Sequence, residues 1–182
     1  MRIGVVVGSV RKGRRGESVA AWVADAAKQR EGVEVSIVDL AEFGVPILDA
    51  ETLPMLAGKS YEDAGTQAWS DAIDECDAYV FVTPEYNHGV PGAFKNAVDS
   101  LGPEWVGKTV AFVSYGADGG VRATEQWRQI MVNFQMYDVR GFVALGLFSD
   151  FDESGFAPLE RRTGELEAML DQLTSLTEKL AA

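Results

Sequence analysis

The amino-acid sequence predicts an α/β fold in which a five-stranded parallel sheet is covered by helices on both faces. Uninterrupted apolar runs alternate along the chain with segments whose apolar residues recur at helical spacing. A strand that is apolar throughout is buried on both faces, and parallel strands need crossover helices that cover those faces. The length of 182 residues, 47% of them hydrophobic, predicts a single domain, residues 1–182, with one substantial core.

The first part of the chain contains three predicted strands with helices between them. The strands are Arg2–Gly8, Val33–Leu40 and Ala78–Pro84. Helical periodicity appears over Glu17–Arg30, where an acidic residue opens the first turn and basic residues occupy the last, and again around Trp69–Cys76. These segments predict strand and helix in strict alternation.

The second part of the chain repeats this scheme. A proline opens a predicted helix over Pro91–Leu101, Lys108–Gly116 is the fourth strand, and Val139–Phe148 contains the fifth. Apolar residues at helical spacing predict two further helices, around Trp127–Phe134 and Leu166–Leu180.

One segment, Ala41–Gly65, shows no apolar period. It contains two prolines and three glycines, and we predict a long loop with one short turn of helix. Loops of this length inside a compact domain are usually functional or mobile.

Composition argues against several classes of protein. The formal net charge of −12 disfavours binding to nucleic acid or to an anionic membrane surface. No apolar run approaches the roughly 20 residues that cross a bilayer and no leader precedes the first strand, so we expect a cytoplasmic protein with no membrane segment. One cysteine and one histidine are too few soft ligands for a zinc site, so we expect no metal. Cys76 falls on an apolar helix stripe and is interpreted as a packed core residue.

The candidate site lies in the loops that follow the first, third and fourth predicted strands. In an open parallel sheet, ligands bind outside the carboxyl ends of the strands. All three loops are rich in glycine and in hydrogen-bonding side chains. They read GSVRKGRRGES, TPEYNHGVPG and SYGADGG.

The first of these loops predicts a phosphate site. It places Arg11, Lys12, Arg14 and Arg15 within five residues of an otherwise acidic chain. Glycines let peptide N–H groups approach an oxyanion, Ser9 adds a hydroxyl, and arginines add fork-shaped donors. The alternative is a solvated basic loop that keeps an acidic protein soluble. Neither the triphosphate-binding motif nor the dinucleotide motif is present, so we expect a terminal monophosphate.

The second loop suits a planar heteroaromatic ring with polar edges. Pro84 and Pro91 stiffen its ends, Tyr86 offers a π face, and Asn87 offers directional donors. The alternative is a half-buried tyrosine in a connecting loop, beside an asparagine that caps a turn. The basic loop in the same chain favours the ligand interpretation, because the ends of the first and third strands lie side by side in this kind of sheet.

These residues resemble the flavodoxin-like NAD(P)H-dependent FMN reductases, a family that includes azobenzene, quinone and chromate reductases. The resemblance covers nearly the whole chain in order, and its most specific parts are GSVRKGRRGESVAAWV and TPEYNHGVPGAFKNAVDSLG. It implies a flavodoxin-like three-layer sandwich of strand order 2-1-3-4-5, with FMN at the strand ends. It also implies a homodimer or homotetramer that completes the flavin pockets, for which Phe134–Tyr137 and Ala41–Gly65 are the candidate contact surfaces.

The resemblance assigns site residues by position. It implies that the first loop binds the FMN phosphate, that the second runs along the isoalloxazine ring, and that the third lines the other side of the ring. The implied phosphate residues are Ser9, Arg11, Arg14, Gly16 and Glu17. The implied ring residues are Pro84, Glu85, Tyr86, Asn87, His88, Gly89, Ser114, Tyr115 and Gly116. Many family members read G-S-x-R-x-x-S-x-N in the first loop, so Arg14 and Gly16 stand here in place of that serine and asparagine.

The implied activity is an oxidoreductase reaction. NADPH or NADH passes hydride to flavin N5, leaves, and is replaced by a flavin, a quinone, an azo compound or a metal oxyanion, in a ping-pong cycle. The flavin carries the chemistry, so no protein residue is assigned a catalytic role, and His88 is given a contact role only. Two alternatives stay open. One is a non-enzymatic flavodoxin-type electron carrier that leaves nicotinamide untouched, and the other is a flavin-free scaffold.

Overall fold

The computed structural model describes residues 1–182 and is built around a five-stranded parallel sheet. The strands are β1 (Arg2–Val7), β2 (Glu34–Asp39), β3 (Ala78–Pro84), β4 (Thr109–Gly116) and β5 (Tyr137–Gly146). They lie in the order β2-β1-β3-β4-β5, as predicted. The helices are α1 (Gly16–Ala27), α2 (Ala64–Asp74), α3 (Gly92–Asp99), α4 (Val121–Asn133) and α5 (Arg161–Ala181). The predicted fold class is therefore confirmed.

Helices cover both faces of the sheet, and each face has its own apolar core. Helices α1 and α5 pack over a cluster of 22 buried residues, and α2, α3 and α4 pack over a second cluster of 19. In the second core, the Phe81 ring meets Trp105 and Trp127 edge to face, with ring centres 5.9 and 5.6 Å apart. Each fully buried side chain of this size contributes about 1.5–3 kcal/mol to folding. The central strands β3 and β4, buried along their whole length, are therefore firmly held.

Two segments differ from the sequence prediction. The segment Ala41–Gly65 and its margin carry two 3₁₀ turns, Leu40–Glu42 and Pro54–Leu56, where one short turn was expected. A small antiparallel hairpin, β6 (Phe151–Asp152) and β7 (Gly155–Phe156), follows β5 and has no counterpart in the prediction. Strands of two residues are too short to produce a periodic pattern.

The register of the central strands places their carboxyl ends at one edge of the sheet. Val7 of β1 pairs with Val82 of β3, and Val82 pairs in turn with Val113 of β4. Two residues further along, Pro84 pairs with Tyr115. The loops that leave these three strands therefore start side by side.

Helix α5 is tied to the end of β5 by a buried ion pair. Asp150 is fully buried, and its two carboxylate oxygens accept hydrogen bonds from the Arg162 guanidinium at 3.0 and 3.2 Å. The same carboxylate accepts the peptide N–H groups of Gly146 and Leu159 at 2.8 and 3.1 Å. Burial alone would raise the pKa of Asp150, but these donors outweigh it and hold the pKa below its ordinary value.

None of the helices combines the length and the apolar character that a membrane crossing requires.

Replacing Asp150 with asparagine keeps the shape of the side chain but leaves the buried Arg162 with only the partly exposed Glu165 as a counter-charge. We expect Asp150→Asn to lower the free energy of unfolding by about 3 kcal/mol at pH 7. The folded-state pKa of Asp150 is depressed, so its stabilising effect is complete above the unfolded pKa of about 4 and is lost as the pH falls further. The difference between variant and wild type should therefore shrink at low pH.

Urea unfolding at pH 7 and at pH 3 measures this difference directly. Asp25→Asn, at an exposed position on α1, is the matched control and should change the free energy of unfolding by less than about 0.5 kcal/mol. An Asp150→Asn effect of the same size at both pH values contradicts the role given to the ion pair.

Candidate active site

Three loops meet at the carboxyl edge of the sheet and form the candidate site. We call them the first loop (Gly8–Arg15, after β1), the second loop (Glu85–Val90, after β3) and the third loop (Ala117–Gly120, after β4). These are the three loops that the sequence predicts as the ligand site.

The first and second loops are in direct contact. The Ser9 Oγ lies 2.8 Å from the Tyr86 hydroxyl oxygen, although the two residues are 77 positions apart in the chain. The Arg11 guanidinium lies over the Tyr86 ring, 5.7 Å from its centre. Tyr86 therefore joins the predicted phosphate loop to the predicted ring loop through both its hydroxyl group and its ring.

Arg14 stabilises the first loop through contacts with other groups of the protein. Its guanidinium donates to the Ser9 carbonyl at 2.9 Å and pairs with Glu17 and with Asp39, each at 2.6 Å. Burial alone would lower the pKa of Arg14, but the two carboxylates outweigh it and raise the pKa above its ordinary value. All three guanidinium nitrogens thus donate within the protein. The structure gives Arg14 and Glu17 an internal partner, where the resemblance implied a phosphate contact.

Two glycines allow the first loop to lie close to the elements beneath it. A Cβ atom on Gly8 would lie 2.0 Å from the Phe94 ring, and one on Gly16 would lie 3.0 Å from the Tyr115 hydroxyl oxygen. Tyr115 is buried, and burial raises the pKa of its hydroxyl group above the ordinary value, so it stays protonated at neutral pH. The Tyr115 side chain therefore lies under the base of the first loop.

The other three cations of the first loop have no carboxylate partner. Of the 16 Lys and Arg residues of the chain, eleven form ion pairs with Asp or Glu. The five that do not are Arg11, Lys12, Arg15, Arg140 and Lys179. Three of these five therefore lie within one stretch of five residues. In a chain of net charge −12, this is a local excess of positive charge that an anionic ligand can neutralise.

The peptide groups of the first loop are also available to a ligand. The five N–H groups from Ser9 to Gly13 donate to no acceptor within the protein. Ser9 itself is only 2% exposed, which places its hydroxyl group at the floor of the loop. Free peptide N–H groups, a hydroxyl and a guanidinium are the donors that bind phosphate groups in proteins.

The second loop contains a tight turn with unusual backbone angles. The peptide groups of Tyr86 and Gly89 exchange two hydrogen bonds of 3.0 Å each, which closes a two-residue turn over Asn87 and His88. Both of these residues have positive φ, 51° for Asn87 and 68° for His88, as a type I′ turn requires. This region costs a residue with a side chain about 1–2 kcal/mol. The N–H groups of Asn87 and His88 have no acceptor within the protein.

Glu85 connects the second loop to the start of helix α4. Its carboxylate, 8% exposed, accepts the peptide N–H groups of Arg122 and Ala123 at 2.9 and 3.3 Å. It therefore satisfies two of the unpaired donors that every helix has in its first turn. The structure gives this side chain a capping role, and only its backbone remains for the ring contact that the resemblance implied.

Gln126, one turn further along α4, also holds the second loop. Its Nε2 donates to the His88 carbonyl at 2.8 Å, and its Oε1 accepts the Val90 N–H at 3.2 Å. Sequence analysis missed this residue. A glutamine on the exposed face of a predicted helix has no distinguishing pattern, and only tertiary packing brings it to a loop nearly 40 residues away in the chain.

The third loop and the carboxyl ends of β3 and β4 form the rest of the candidate site. Pro84 is buried as the last residue of β3. The Ser114 hydroxyl group is fully buried and donates to the Gly119 carbonyl at 2.7 Å, so it shapes the third loop from below. The Gly116 carbonyl accepts the N–H groups of Gly119 and Leu147 at 3.1 and 2.9 Å.

The single cysteine lies in the core. Burial raises the pKa of the Cys76 thiol to about 11, so the thiol stays protonated at neutral pH. This environment agrees with its interpretation as a packed residue.

A doubly covered sheet of this strand order, with free phosphate-type donors after β1 and an aromatic loop after β3, defines a flavodoxin-like α/β protein. The family model described as NADPH-dependent FMN reductase matches residues 1–150. The chain belongs to the NADPH-dependent FMN reductase family and is an oxidoreductase, with FMN as cofactor and NAD(P)H as co-substrate. The family and the cofactors that the sequence predicts are thereby confirmed.

Individual relatives support this assignment. An NAD(P)H-dependent FMN reductase of Nectria sp is 43% identical over 129 residues, which cover 69% of this chain and 64% of the relative. A second NAD(P)H-dependent FMN reductase, from Schizosaccharomyces pombe, is 33% identical over 97% of this chain and 90% of its own length. A quinone reductase of Pseudomonas putida is 33% identical over 95% of this chain and 92% of its own length.

A solved structure shows the same fold. The flavoenzyme FerB of Paracoccus denitrificans, an NAD(P)H:acceptor oxidoreductase, superimposes with a TM-score of 0.76. The superposition covers 98% of this chain and 97% of FerB, at 22% sequence identity.

The residues of the candidate site fit FMN. FMN has a terminal phosphate and a flat ring with a polar edge. The first loop offers a phosphate the free N–H groups of Ser9–Gly13 and the unpaired guanidinium of Arg11. The second loop offers the ring edge the free N–H groups of Asn87 and His88. Both ends of the cofactor thus have donors that no protein group uses.

Proposed function

We propose that the protein is an NAD(P)H-dependent reductase whose first loop binds the phosphate of FMN and whose second loop binds the ring. The observation that carries this proposal is the concentration of unpaired donors in the first loop of an acidic chain. A phosphate monoester carries about two negative charges at neutral pH, which suits three cations that lack carboxylate partners. The alternative interpretation, a solvated basic loop, gives no reason for three of the five cations without a carboxylate partner to lie within five residues of the chain.

The proposed phosphate contacts come from the upper part of the first loop. Ser9 and Arg11 are the donors, and the Tyr86 hydroxyl, 2.8 Å from the Ser9 Oγ, lies next to them. Arg14 and Gly16 are assigned a supporting role, because the first is used in ion pairs and the second lies against Tyr115. The departure of these two positions from the commoner family pattern therefore does not remove the phosphate site.

The proposed ring contacts come from backbone more than from side chains. The free N–H groups of Asn87 and His88 would hold the polar edge of the ring, and Pro84, Gly89 and Gly116 would line the site around it. When bound, FMN would supply the hydride and electron-transfer chemistry between NAD(P)H and an acceptor. The protein binds and orients the cofactor, and no side chain is assigned a proton transfer.

We further propose that nicotinamide and acceptor use the site in turn, with a quinone as acceptor. Asn87 and His88 are exposed, so the ring loop faces solvent on one side, and two flat molecules can occupy that side only one after the other. The choice of a quinone is supported by relatives named quinone reductases.

Removing Arg11 should weaken the binding of FMN and leave the binding of riboflavin unchanged. We expect Arg11→Gln to raise the FMN dissociation constant about tenfold, because one charge-assisted contact to the phosphate is lost. Riboflavin has the same ring but no phosphate. Titration of flavin fluorescence measures both constants.

Arg14→Gln is the matched control for this experiment. It removes an arginine from the same loop, but one whose guanidinium already pairs with a carboxylate of the protein. We expect it to lower the free energy of unfolding of the flavin-free protein by about 1.5–3 kcal/mol, the range for hydrogen bonds to charged groups. Arg11→Gln should leave that free energy unchanged within about 0.5 kcal/mol. Equal loss of riboflavin and FMN binding in Arg11→Gln contradicts the phosphate assignment.

Steady-state kinetics test the order of substrates. We expect the holoenzyme to oxidise NADPH or NADH with a quinone present, and double-reciprocal plots at several quinone concentrations to be parallel, as substituted-enzyme cycles require. Intersecting lines contradict the alternating use of one site. A flavodoxin-type carrier, the second candidate function, predicts bound FMN with almost no consumption of nicotinamide.

The segment Ile47–Leu56 is the proposed contact surface of a homodimer. Ile47, Leu53 and Leu56 are 77%, 67% and 75% exposed, a density of large apolar side chains that is unusual on a free surface. Val10 of the first loop and Ile47 line one shallow groove, so a partner bound there lies next to the FMN site. The other predicted surface, Phe134–Tyr137, exposes less apolar side chain to a partner, because its Phe134 and Met136 are buried.

A charge placed on this segment should separate the protomers. We expect wild-type holoprotein to sediment as a dimer and Leu53→Asp/Leu56→Asp to sediment as a monomer, because desolvating two carboxylates disfavours the contact. Leu180→Asp, at an exposed position on α5, is the control and should remain dimeric. A monomeric wild type, or a dimeric double variant, contradicts this surface.

A further inference from the structure

We propose that Gln126 is a positioning residue, which holds the turn of the second loop in the conformation that presents its free N–H groups to the flavin. The inference rests on the proposed function, because it takes the second loop to be the ring-binding loop. It concerns a residue outside the three loops, on the second turn of α4.

The turn over Asn87 and His88 lacks the support that such turns normally have. Type I′ turns usually join two paired strands, whose ladder maintains the turn. Here the bridge between Tyr86 and Gly89 is isolated, β3 has already ended at Pro84, and no antiparallel strand follows. Apart from the two Tyr86–Gly89 hydrogen bonds, the two positive φ angles are therefore maintained by contacts from outside the turn.

Gln126 supplies those contacts with both ends of its amide group. Its Nε2 donates to the His88 carbonyl and its Oε1 accepts the Val90 N–H, at 2.8 and 3.2 Å. A peptide group of a neighbouring strand would make the same pair of bonds, one donated and one accepted. The side-chain amide of Gln126 thus takes the place of the missing strand on one side of the loop.

The backbone that carries Gln126 is itself well fixed. The next residue, Trp127, is fully buried, and its indole N–H donates to the Thr83 hydroxyl at 3.1 Å. Glu85 caps the same helix two residues after Thr83. Helix α4 is therefore held in place against the end of β3, and the hydrogen bonds of Gln126 attach the turn to this helix.

The inference predicts a defect in ring binding when the amide is lost. We expect Gln126→Leu to raise the dissociation constants of FMN and riboflavin by a similar factor, about tenfold, because the ring is common to both. The midpoint potential of the bound flavin should also shift, since the donors at the ring edge are displaced. Gln126→Glu, which is almost isosteric but sets a carboxylate against the His88 carbonyl, should show the same defect.

A second substitution tests the link to backbone strain. Glycine adopts positive φ without a side-chain penalty, so His88→Gly should maintain the turn without help from Gln126. In the His88→Gly background, Gln126→Leu should therefore change the riboflavin dissociation constant by less than about twofold, a coupling that a double-mutant cycle measures. Gln172→Leu is the control, because Gln172 also accepts a peptide N–H, from Gly141 at 2.8 Å, but lies on α5. It should bind both flavins as wild type does.

The possible outcomes separate this inference from the proposed function. Wild-type flavin affinity and potential in Gln126→Leu, or an undiminished Gln126→Leu effect in the His88→Gly background, overturn the positioning role and leave the FMN site intact. A wild-type protein that binds FMN with no preference over lumiflavin overturns the proposed placement of FMN. Circular dichroism confirms that each variant is folded before it is titrated.

Discussion

The candidate site depends on the parallel pairing of β1 with β3 and of β3 with β4. This pairing aligns Val7, Val82 and Val113 across the sheet and ends all three strands at one edge. The loops beyond these residues start side by side, which is why Ser9 and Tyr86 come within hydrogen-bonding distance. A shift of one residue in any of these strands would turn its side chains to the opposite face of the sheet, so the two apolar cores that fix the register also fix the site.

The first loop contains two kinds of basic residue. One kind pairs with groups of the protein and stabilises the loop, and the other kind has no carboxylate partner, so its charge is available to a ligand. Arg14 is surrounded by carboxylates and a carbonyl group, and it fixes the loop with or without a cofactor. Arg11 and Lys12, in the same loop, have no carboxylate near them although the chain has 28 Asp and Glu residues. Protein folding alone would favour pairing these cations with some of the many carboxylates. The absence of carboxylates around Arg11 and Lys12 is consistent with a phosphate as their partner. The sequence around these residues does not show that they differ from Arg14 in this way.

Helix α4 gives the second loop its shape. The strand before the loop ends at Pro84, and the turn over Asn87 and His88 has backbone angles that a short isolated loop would not maintain. Glu85 and Gln126 attach the loop to α4 at two points, and the buried Trp127 holds the helix against the sheet. Rigidity at this edge therefore derives from the aromatic core below it. Such support allows a loop to hold donors ready for a ligand before the ligand arrives.

The sequence by itself determined the fold class and the order of elements and indicated the three loops of the candidate site, because burial on two faces and helical periodicity leave strong local patterns. The family resemblance added the strand order and the cofactors. Tertiary structure alone decided what each loop residue does: it paired Arg14 internally, placed Tyr115 beneath the first loop, and brought Gln126 to the turn at His88. The physical reason is that a side chain's role depends on which distant groups satisfy its charge and hydrogen bonds, and no local sequence pattern records those partners.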